Sequence, residues 1–464
     1  MTKAERFYSE IKDKKIAFIG TGVSHIELIR LYLKKGLDVT ICDKKNKDDF
    51  NIEIYAELSS LGAKFSLGED YLSAIYSVDI VFRTPGMYYN HPSIKKAREL
   101  GIIVTSEMEV FFDICPCKIY AVTGSDGKTT STTLISEFFK AEGKNVHLGG
   151  NIGKALLPIA EDMQESDIAV VELSSFQLLS MRKSPDVAVI TNIAPNHLDV
   201  HGTMEEYIGS KCNLIAHQNA FSKTVLNNDN EPTMNLLPLV RGKLATFSRK
   251  QQVNNGAFLK DNGELCYSNY GEITNILPMT DIKIPGIHNV ENYLTAISAV
   301  WGEVSIDSII KVAKNFGGVE HRIEFVRELD GVKYYNDSIA TSPTRVLAGL
   351  ASFNQKLIVI AGGYDKKIPF EPLAKPMNEK VKILILLGLT ADKIENAVKS
   401  YEGYSEENLK IVRVLTLEEA VEKARELAEK GDIITLSPAC ASFDMYPNFE
   451  VRGQHFKRIV NELR

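Results

Sequence analysis

The six cysteines, at positions 42, 115, 117, 212, 266 and 440, include no CxxC pair and no spacing typical of zinc ligands. That argues against a disulfide framework or a zinc module and fits a reduced, cytosolic protein. Long apolar runs are also missing. The most apolar stretches, such as Ile383 to Leu387, are strand-length, and the N-terminal MTKAERFYSEIKDKK lacks the apolar core of a signal peptide. Neither a membrane span nor secretion is expected. There is no excess of basic charge; the formal net charge of −6 leaves no electrostatic footprint for nucleic acid. No solenoid repeat and no low-complexity tract interrupts the 464 residues, a length that calls for two to four domains. Hydrophobic and charged fractions of 44% and 25% are those of an ordinary globular protein.

What is present centres on Lys118 to Phe139, KIYAVTGSDGKTTSTTLISEFF. An apolar run rich in β-formers, Lys118 to Val122, stops at a loop with two glycines, and helical periodicity begins at Thr129. Gly124 and Gly127 let the backbone curl its N–H groups toward an anion, and the helix N-terminus adds its dipole. Lys128 supplies charge for phosphate, and the Thr129 hydroxyl is a ligand for Mg²⁺. The longer GxxxxGK[ST] form would want Gly at Val122, so this is a shortened GxxGKT loop. Alone, GxxGKT also reads as a solvated turn. The strand before it and the helix after it favour a nucleotide site.

The N-terminal third opens with a strand at Lys15 to Ile19, the turn GTGVSH, a helix at Ile26 to Lys35 and a strand at Asp38 to Cys42 that ends at Asp43. Gly20, Gly22 and an acid about 20 residues on resemble a dinucleotide fingerprint, but His25 replaces the third glycine. Its side chain is expected to obstruct helix-on-strand packing or approach to a pyrophosphate, leaving a Rossmann-like fold with some other ligand or none. A further strand, Asp79 to Arg83, leads into a Thr84 to Met87 loop at the carboxyl edge. In the central third, GGNIG (149 to 153) precedes a strand at Asp167 to Val171 that runs into Glu172, where a P-loop enzyme holds Mg²⁺. The strand Asp186 to Ile190 leads to TNIAPNHLDVHGTMEEYIGSK. There His197, Asp199 and His201 read either as a metal cluster or as a polar loop. GIHNVEN (286 to 292) opens a helix with His288, Asn289 and Asn292 near one face, as caps or as groups for a base.

From His321 a new α/β unit begins. Strands at Val332 to Tyr335, Leu357 to Ile360, Ile383 to Leu387, Ile411 to Val414 and Ile433 to Leu436 alternate with helices such as Leu417 to Glu429. The loops NDSIATSP, AGGYDKK and SPACASFDMYPNFEVRG at the strand ends are where function is expected. Phe443, Tyr446 and Phe449 within them read equally well as packing aromatics.

Taken in order, TGSDGKTT, GGNIG, ELSSFQL, NHLDVHG, YIGSK, GIHNVEN, HRIEFV, NDSIATSPT, AGGYDKK and SPACASFDMYPNFEVRGQHF resemble the Mur ligase family across essentially the whole chain. The last of these, with DSIATSP, is the most specific to the branch that adds D-glutamate. The resemblance implies an α/β protein of three domains. Residues 1–107 would form a Rossmann-like domain for a uridine nucleotide, 108–318 a P-loop ATPase domain, and 319–464 a Rossmann-like domain for the amino acid. By the same resemblance, Val23, Ser24, Asp43 and Gly86 match contacts to the uridine nucleotide, and Asn151 and Ser174 match contacts to the muramyl part. Gly124 to Thr130, that is Gly124, Ser125, Asp126, Gly127, Lys128, Thr129 and Thr130, match the ATP loop, with Asn289, Asn292, Arg322 and Asp337 near the same nucleotide. Thr129, Glu172 and His197 match ligands of a pair of Mg²⁺ ions, and Lys211 falls where the family carries a carbamylated lysine. Without the resemblance, Lys211 reads as a surface lysine. Thr341, Lys366, Ser442 and Phe449 match positions around D-glutamate. Many relatives have Lys where this chain has Ile339.

The implied catalytic residues are Lys128, Glu172, His197 and Lys211. The implied reaction is ATP-driven joining of D-glutamate to UDP-N-acetylmuramoyl-L-alanine through an acyl phosphate, by a cytoplasmic monomer with neither nucleic-acid nor membrane partners. A P-loop kinase or regulator, a nucleotide-binding protein without turnover, and a folylpolyglutamate synthase are the competing readings.

Overall fold

A computed structural model describes residues 1–22, 24–195 and 198–464. Most of its strands are short and buried on both faces, as in IAFI after Lys15 and LIVIA at 357–361. Such strands suit parallel sheets covered by helices. Two compact units emerge: Met1–Met279 with Glu291–Val312, and Thr280–Val290 with Ala313–Arg464.

The first unit holds three sheets. β1 (Lys15–Ile19), β2 (Asp38–Asp43), β3 (Lys64–Leu67), β4 (Ile80–Phe82) and β5 (Ile103–Thr105) form a parallel sheet in the order β3-β2-β1-β4-β5. The strand order reverses between β1 and β4, which is where an open α/β sheet leaves a crevice. β6 (Lys118–Thr123), β7 (Val146–Gly150), β8 (Ile168–Glu172), β9 (Val187–Ile190), β10 (Lys223–Asn227) and β11 (Lys243–Phe247) make a second parallel sheet, β11-β10-β9-β6-β8-β7. β12 (Asn255–Leu259), β13 (Glu264–Asn269) and β14 (Glu272–Pro278) form an antiparallel meander. One apolar cluster runs from Ile16 and Phe18 under the first sheet, through Met108 and Phe111, to Ala169 and Ile190 in the second. The helix Glu107–Ile114 is thus the shared core of the two sheets.

The second unit carries β15 (Glu324–Leu329), β16 (Val332–Asn336), β17 (Leu357–Ala361), β18 (Val381–Leu386), β19 (Lys410–Arg413) and β20 (Ile433–Leu436), in the order β15-β16-β20-β17-β18-β19. Only β15 runs antiparallel. Separate apolar clusters cover the two faces of this sheet. Because β20 lies between β16 and β17, the loops after these three strands leave neighbouring positions on one edge. Among the described residues, no helix is long and apolar enough to cross a membrane.

Candidate active site

The phosphate loop leaves the end of β6, between β8 and β9, and runs into the helix Lys128–Ala141. Gly127 has φ +75° and Gly124 φ +152°, both in the region that favours glycine. A Cβ on Gly124 would lie 1.9 Å from Thr191 Oγ1, and one on Gly127 would lie 2.4 Å from Asn292 Oδ1. Asn192, at the end of β9, holds the curl open: its Oδ1 accepts the N–H of Ser125 at 3.1 Å and of Asp126 at 2.8 Å. The Ser125 hydroxyl bonds the Tyr207 hydroxyl at 2.9 Å and donates to the Ala194 carbonyl at 2.9 Å. Thr191 Oγ1 donates to the Asp126 carbonyl at 2.5 Å. Lys128 Nζ folds back on the Ser125 carbonyl at 3.0 Å, Thr129 is half-buried and Thr130 is buried. Asn292 accepts the Ser131 hydroxyl at 3.3 Å, while the Asn289 amide donates to the Pro285 carbonyl at 2.6 Å, a local contact at the helix start.

Glu172 ends β8 and is 1% exposed. Asn151, in the loop after β7, donates to Glu172 Oε1 at 2.9 Å. The second oxygen, Oε2, is buried with no hydrogen-bond partner among the described residues. An orphaned carboxylate oxygen beside a phosphate loop with a threonine hydroxyl is a hard-oxygen donor set, and it fits Mg²⁺ with a nucleotide phosphate. Lys211, on the helix Met204–Ala216, is equally buried. Its Nζ donates to the Gly124 carbonyl at 3.0 Å and to Thr123 Oγ1 at 3.3 Å, and lies over the Tyr207 ring. Burial, then the nearby Lys128 charge, lowers its pKa to about 7. The surface-lysine reading of Lys211 is therefore wrong. His197 lies outside the described residues. His201 stacks on Phe176, with centroids 5.0 Å apart, and bonds Ser175 Oγ at 2.9 Å. No cluster of three metal-ligating side chains occurs among the described residues.

At the switch point of the first sheet, Val23 lies outside the described residues. Ser24 is half-buried, Asp43 accepts the Thr21 hydroxyl at 3.3 Å and the Lys45 N–H at 3.0 Å, and the Gly86 N–H donates to the Thr84 hydroxyl at 3.0 Å. Ser174 caps the short helix Ser175–Leu178. His25 does not obstruct packing as expected. Its ring turns inward, 1% exposed, donates from Nδ1 to the Gly20 carbonyl at 3.1 Å and meets Phe18 edge-on. Burial lowers its pKa to about 4, so a neutral ring fills the space. Arg83, also 1% exposed, ties the loop after β4 to the Ser174 region. It donates to the Met87 carbonyl at 3.2 Å, the Phe176 carbonyl at 3.2 Å and the Ser180 hydroxyl at 2.6 Å.

In the second unit, Lys366 after β17 donates to Thr341 Oγ1 at 3.1 Å and to the Thr341 carbonyl at 3.2 Å. Ser442 is buried, and Phe449 begins the helix Phe449–Glu462 with its ring edge-on to His321. Asp337 is buried, takes the Ser437 hydroxyl at 3.0 Å and the Ile323 N–H at 3.3 Å, and is pushed up to about 7 by burial. The charges of Arg322, next to Ile323 in sequence, and of Arg345 lower that value in part. Arg452 knits the loops together. Its guanidinium donates to Ser338 Oγ at 3.0 Å and to the carbonyls of Ser338, Cys440 and Ala441. Sequence reasoning passed over Asn192, Tyr207 and Arg452 as individual residues. Arg452 had a signal: it shares a four-residue spacing with buried Phe456 and Val460, so a cation sits in an apolar stripe.

Residues 122–300 match the Mur ligase middle domain, and residues 321–440 the Mur ligase glutamate ligase domain. A UDP-N-acetylmuramoylalanine--D-glutamate ligase of Clostridium acetobutylicum is 50% identical over 460 residues, covering 99% of this chain and 98% of the relative. The chain belongs to the Mur ligase family. A second relative of the same name, from Acetivibrio thermocellus, is 50% identical over 464 residues, with 100% and 99% coverage. The fold of the family is shared with a solved UDP-N-acetylmuramate-alanine ligase from Thermotoga maritima, at a TM-score of 0.58 and 19% identity, over 97% of this chain and 99% of that one. A solved UDP-N-acetylmuramoyl-L-alanyl-D-glutamate--2,6-diaminopimelate ligase aligns at 0.55 and 17%, over 97% and 92%.

Proposed function

We propose that this Mur ligase forms the amide between D-glutamate and the L-alanyl carboxylate of UDP-N-acetylmuramoyl-L-alanine, at the expense of ATP, in peptidoglycan precursor synthesis. The observation that carries this reading is the 50% identity, along the full length, to relatives named for that reaction. In the first step a carboxylate oxygen of the L-alanyl group attacks the γ-phosphorus of ATP, giving an acyl phosphate and ADP. The neutral amine of D-glutamate then adds to the acyl carbon. The tetrahedral intermediate expels phosphate, and the amine loses a proton as the amide forms. Both partners of the first step are anions, so positioning and positive charge carry most of the catalysis.

Backbone N–H groups of the loop Gly124 to Thr130 cradle the phosphates, and Lys128 turns from the Ser125 carbonyl to the transferring phosphoryl group. Thr129, Glu172, His197 and Lys211 as its carbamate would hold a pair of Mg²⁺ ions, which would neutralise phosphate charge. A carbamate forms from a neutral amine and CO₂, and the buried Lys211 is poised for that. Asn289, Asn292, Arg322 and Asp337 position the nucleotide; Val23, Ser24, Asp43 and Gly86 hold the uridine end; Asn151 and Ser174 face the muramyl part. Thr341, Lys366, Ser442 and Phe449 hold D-glutamate. We assign domains at 1–107, 108–318 and 319–464, and a monomeric, cytoplasmic enzyme without nucleic-acid or membrane partners. Phosphate release from ATP, with UDP-N-acetylmuramoyl-L-alanine present and amino acids varied, tests the reading. D-glutamate should support turnover, and L-glutamate, L-lysine and meso-diaminopimelate should not; comparable rates with any of those three place the chain in another branch.

A further inference from the structure

Lys366 and Arg345 both hydrogen-bond one turn of the second unit. Lys366 grips Thr341 through both its hydroxyl and its carbonyl, at 3.1 and 3.2 Å. Arg345, exposed in the first turn of the helix Pro343–Ala351, reaches back and donates from Nη1 to the Ile339 carbonyl at 3.2 Å. That carbonyl also accepts the Thr341 N–H at 2.8 Å. An ammonium and a guanidinium therefore each stand one hydrogen bond from the three residues 339–341.

Neither cation has a carboxylate partner among the described residues. Asp337, the nearby acid, already accepts from Ser437 and Ile323. Arg452 adds a third positive charge, buried against carbonyls of the same loops. Lys366 is held below the usual lysine range, first by partial burial and also by the charges of Arg345 and Arg452. Three cations against the one acid that interacts with Arg345, Asp337, leave an excess of positive charge, which raises the free energy of the empty protein and is relieved when a multiply charged anion arrives. One ammonium answers one carboxylate. A guanidinium fork, matched to a carboxylate in two parallel hydrogen bonds, answers a second.

We infer that Arg345 is a binding residue for the acceptor amino acid, its guanidinium taking one carboxylate of D-glutamate while Lys366 takes the other. This rests on the proposed function, and it gives the site two fixed anionic anchors rather than one. The side chain at 339 is isoleucine, so that position contributes no charge to the turn.

The test is steady-state kinetics of the full-length wild type, Arg345→Ala, Arg345→Lys and the double variant Arg345→Ala with Ile339→Lys. D-glutamate, ATP and UDP-N-acetylmuramoyl-L-alanine are varied in turn, with thermal midpoints to verify folding. Arg345→Ala should raise KM for D-glutamate about tenfold or more, the scale of a lost charge-assisted pair, with the other two KM values unchanged within about twofold. Arg345→Lys should fall between, keeping charge but losing the fork. In the double variant, the ammonium returned to the same turn should recover most of the loss. A folded Arg345→Ala protein with an unchanged KM for D-glutamate overturns the inference, as does a rise shared by all three substrates. Failure of the wild type to use D-glutamate overturns the functional reading itself.

Discussion

Lys128 and Lys211 serve the same phosphate loop from different surroundings: the first is half-buried and touches Ser125, the second is 1% exposed and touches Gly124. Replacing Lys128 by Ala removes charge from the transferring phosphoryl group, so kcat should fall by a factor of about 10²–10³ while binding of the UDP substrate is retained. Phosphate release and equilibrium binding measure the two separately. Lys211→Ala should be nearly inactive, with partial recovery in added short carboxylic acids that replace the carbamate charge; ¹³CO₂ labelling should give a carbamate resonance in the wild type alone. Full activity of the Ala variant excludes the carbamate. The loop that carries Lys128 and Thr129 was legible because its two glycines stand between an apolar strand and a helical period. The burial of Lys211 was less so, yet its helix buries Tyr207, Lys211, Leu214 and Ile215 at helical spacing, and a lysine in that stripe signals an inward-facing charge. The inward turn of the His25 ring was not legible, because spacing says nothing about which way a ring turns.

At the scale of elements, the loop after β6 depends on the absence of side chains. Gly124→Ala would drive a methyl into Thr191 Oγ1 and against the Asn192 backbone at 3.1 Å, at a φ that L-residues rarely adopt. The variant should lose about 2–5 kcal/mol in denaturant unfolding, from overpacking and backbone strain together. A loss below about 0.5 kcal/mol would mean that the loop relaxes freely. The parallel strands were readable as apolar runs, and Lys15–Ile19 and Ile433–Leu436 have the expected limits. The β12–β14 meander was passed over, although Asp261-Asn262-Gly263 sits at its first hairpin turn and Asn-Gly is a strong turn signal. Its strands are short and mix Gly, Asn, Ser and Glu with the apolar residues, and β14 is largely exposed, so no continuous apolar run announces them. β15 was hidden for a similar reason, as an edge strand with alternating Glu, Arg and apolar residues.

Across the molecule, Glu107 links the first two sheets. It is 5% exposed, its Oε1 accepts the N–H groups of Leu156 and Leu157 at 3.0 and 2.8 Å, and burial raises its carboxyl from 4.5 to about 7. The folded state therefore holds this proton more tightly than the unfolded chain does. The contribution to stability is full below pH 4.5 and is lost as the pH rises through about 7. Glu107→Gln keeps the acceptor oxygen without the titration, so its unfolding free energy should be flatter over that window by on the order of 1–3 kcal/mol. Identical pH profiles would show that Glu107 titrates normally. The order of the α/β segments could be read from motifs, but a core continuous through the helix Glu107–Ile114 could not, since apolar spacing does not say which sheet a helix serves. The loops after β16, β17 and β20 leave adjacent strands on one edge, and their residues hang from a ladder whose hydrogen bonds do not depend on them. With the amino acid held by these loops as proposed, a lineage would exchange its choice of substrate by rewriting three short segments, inheriting the capacity to fold separately from the taste for a substrate.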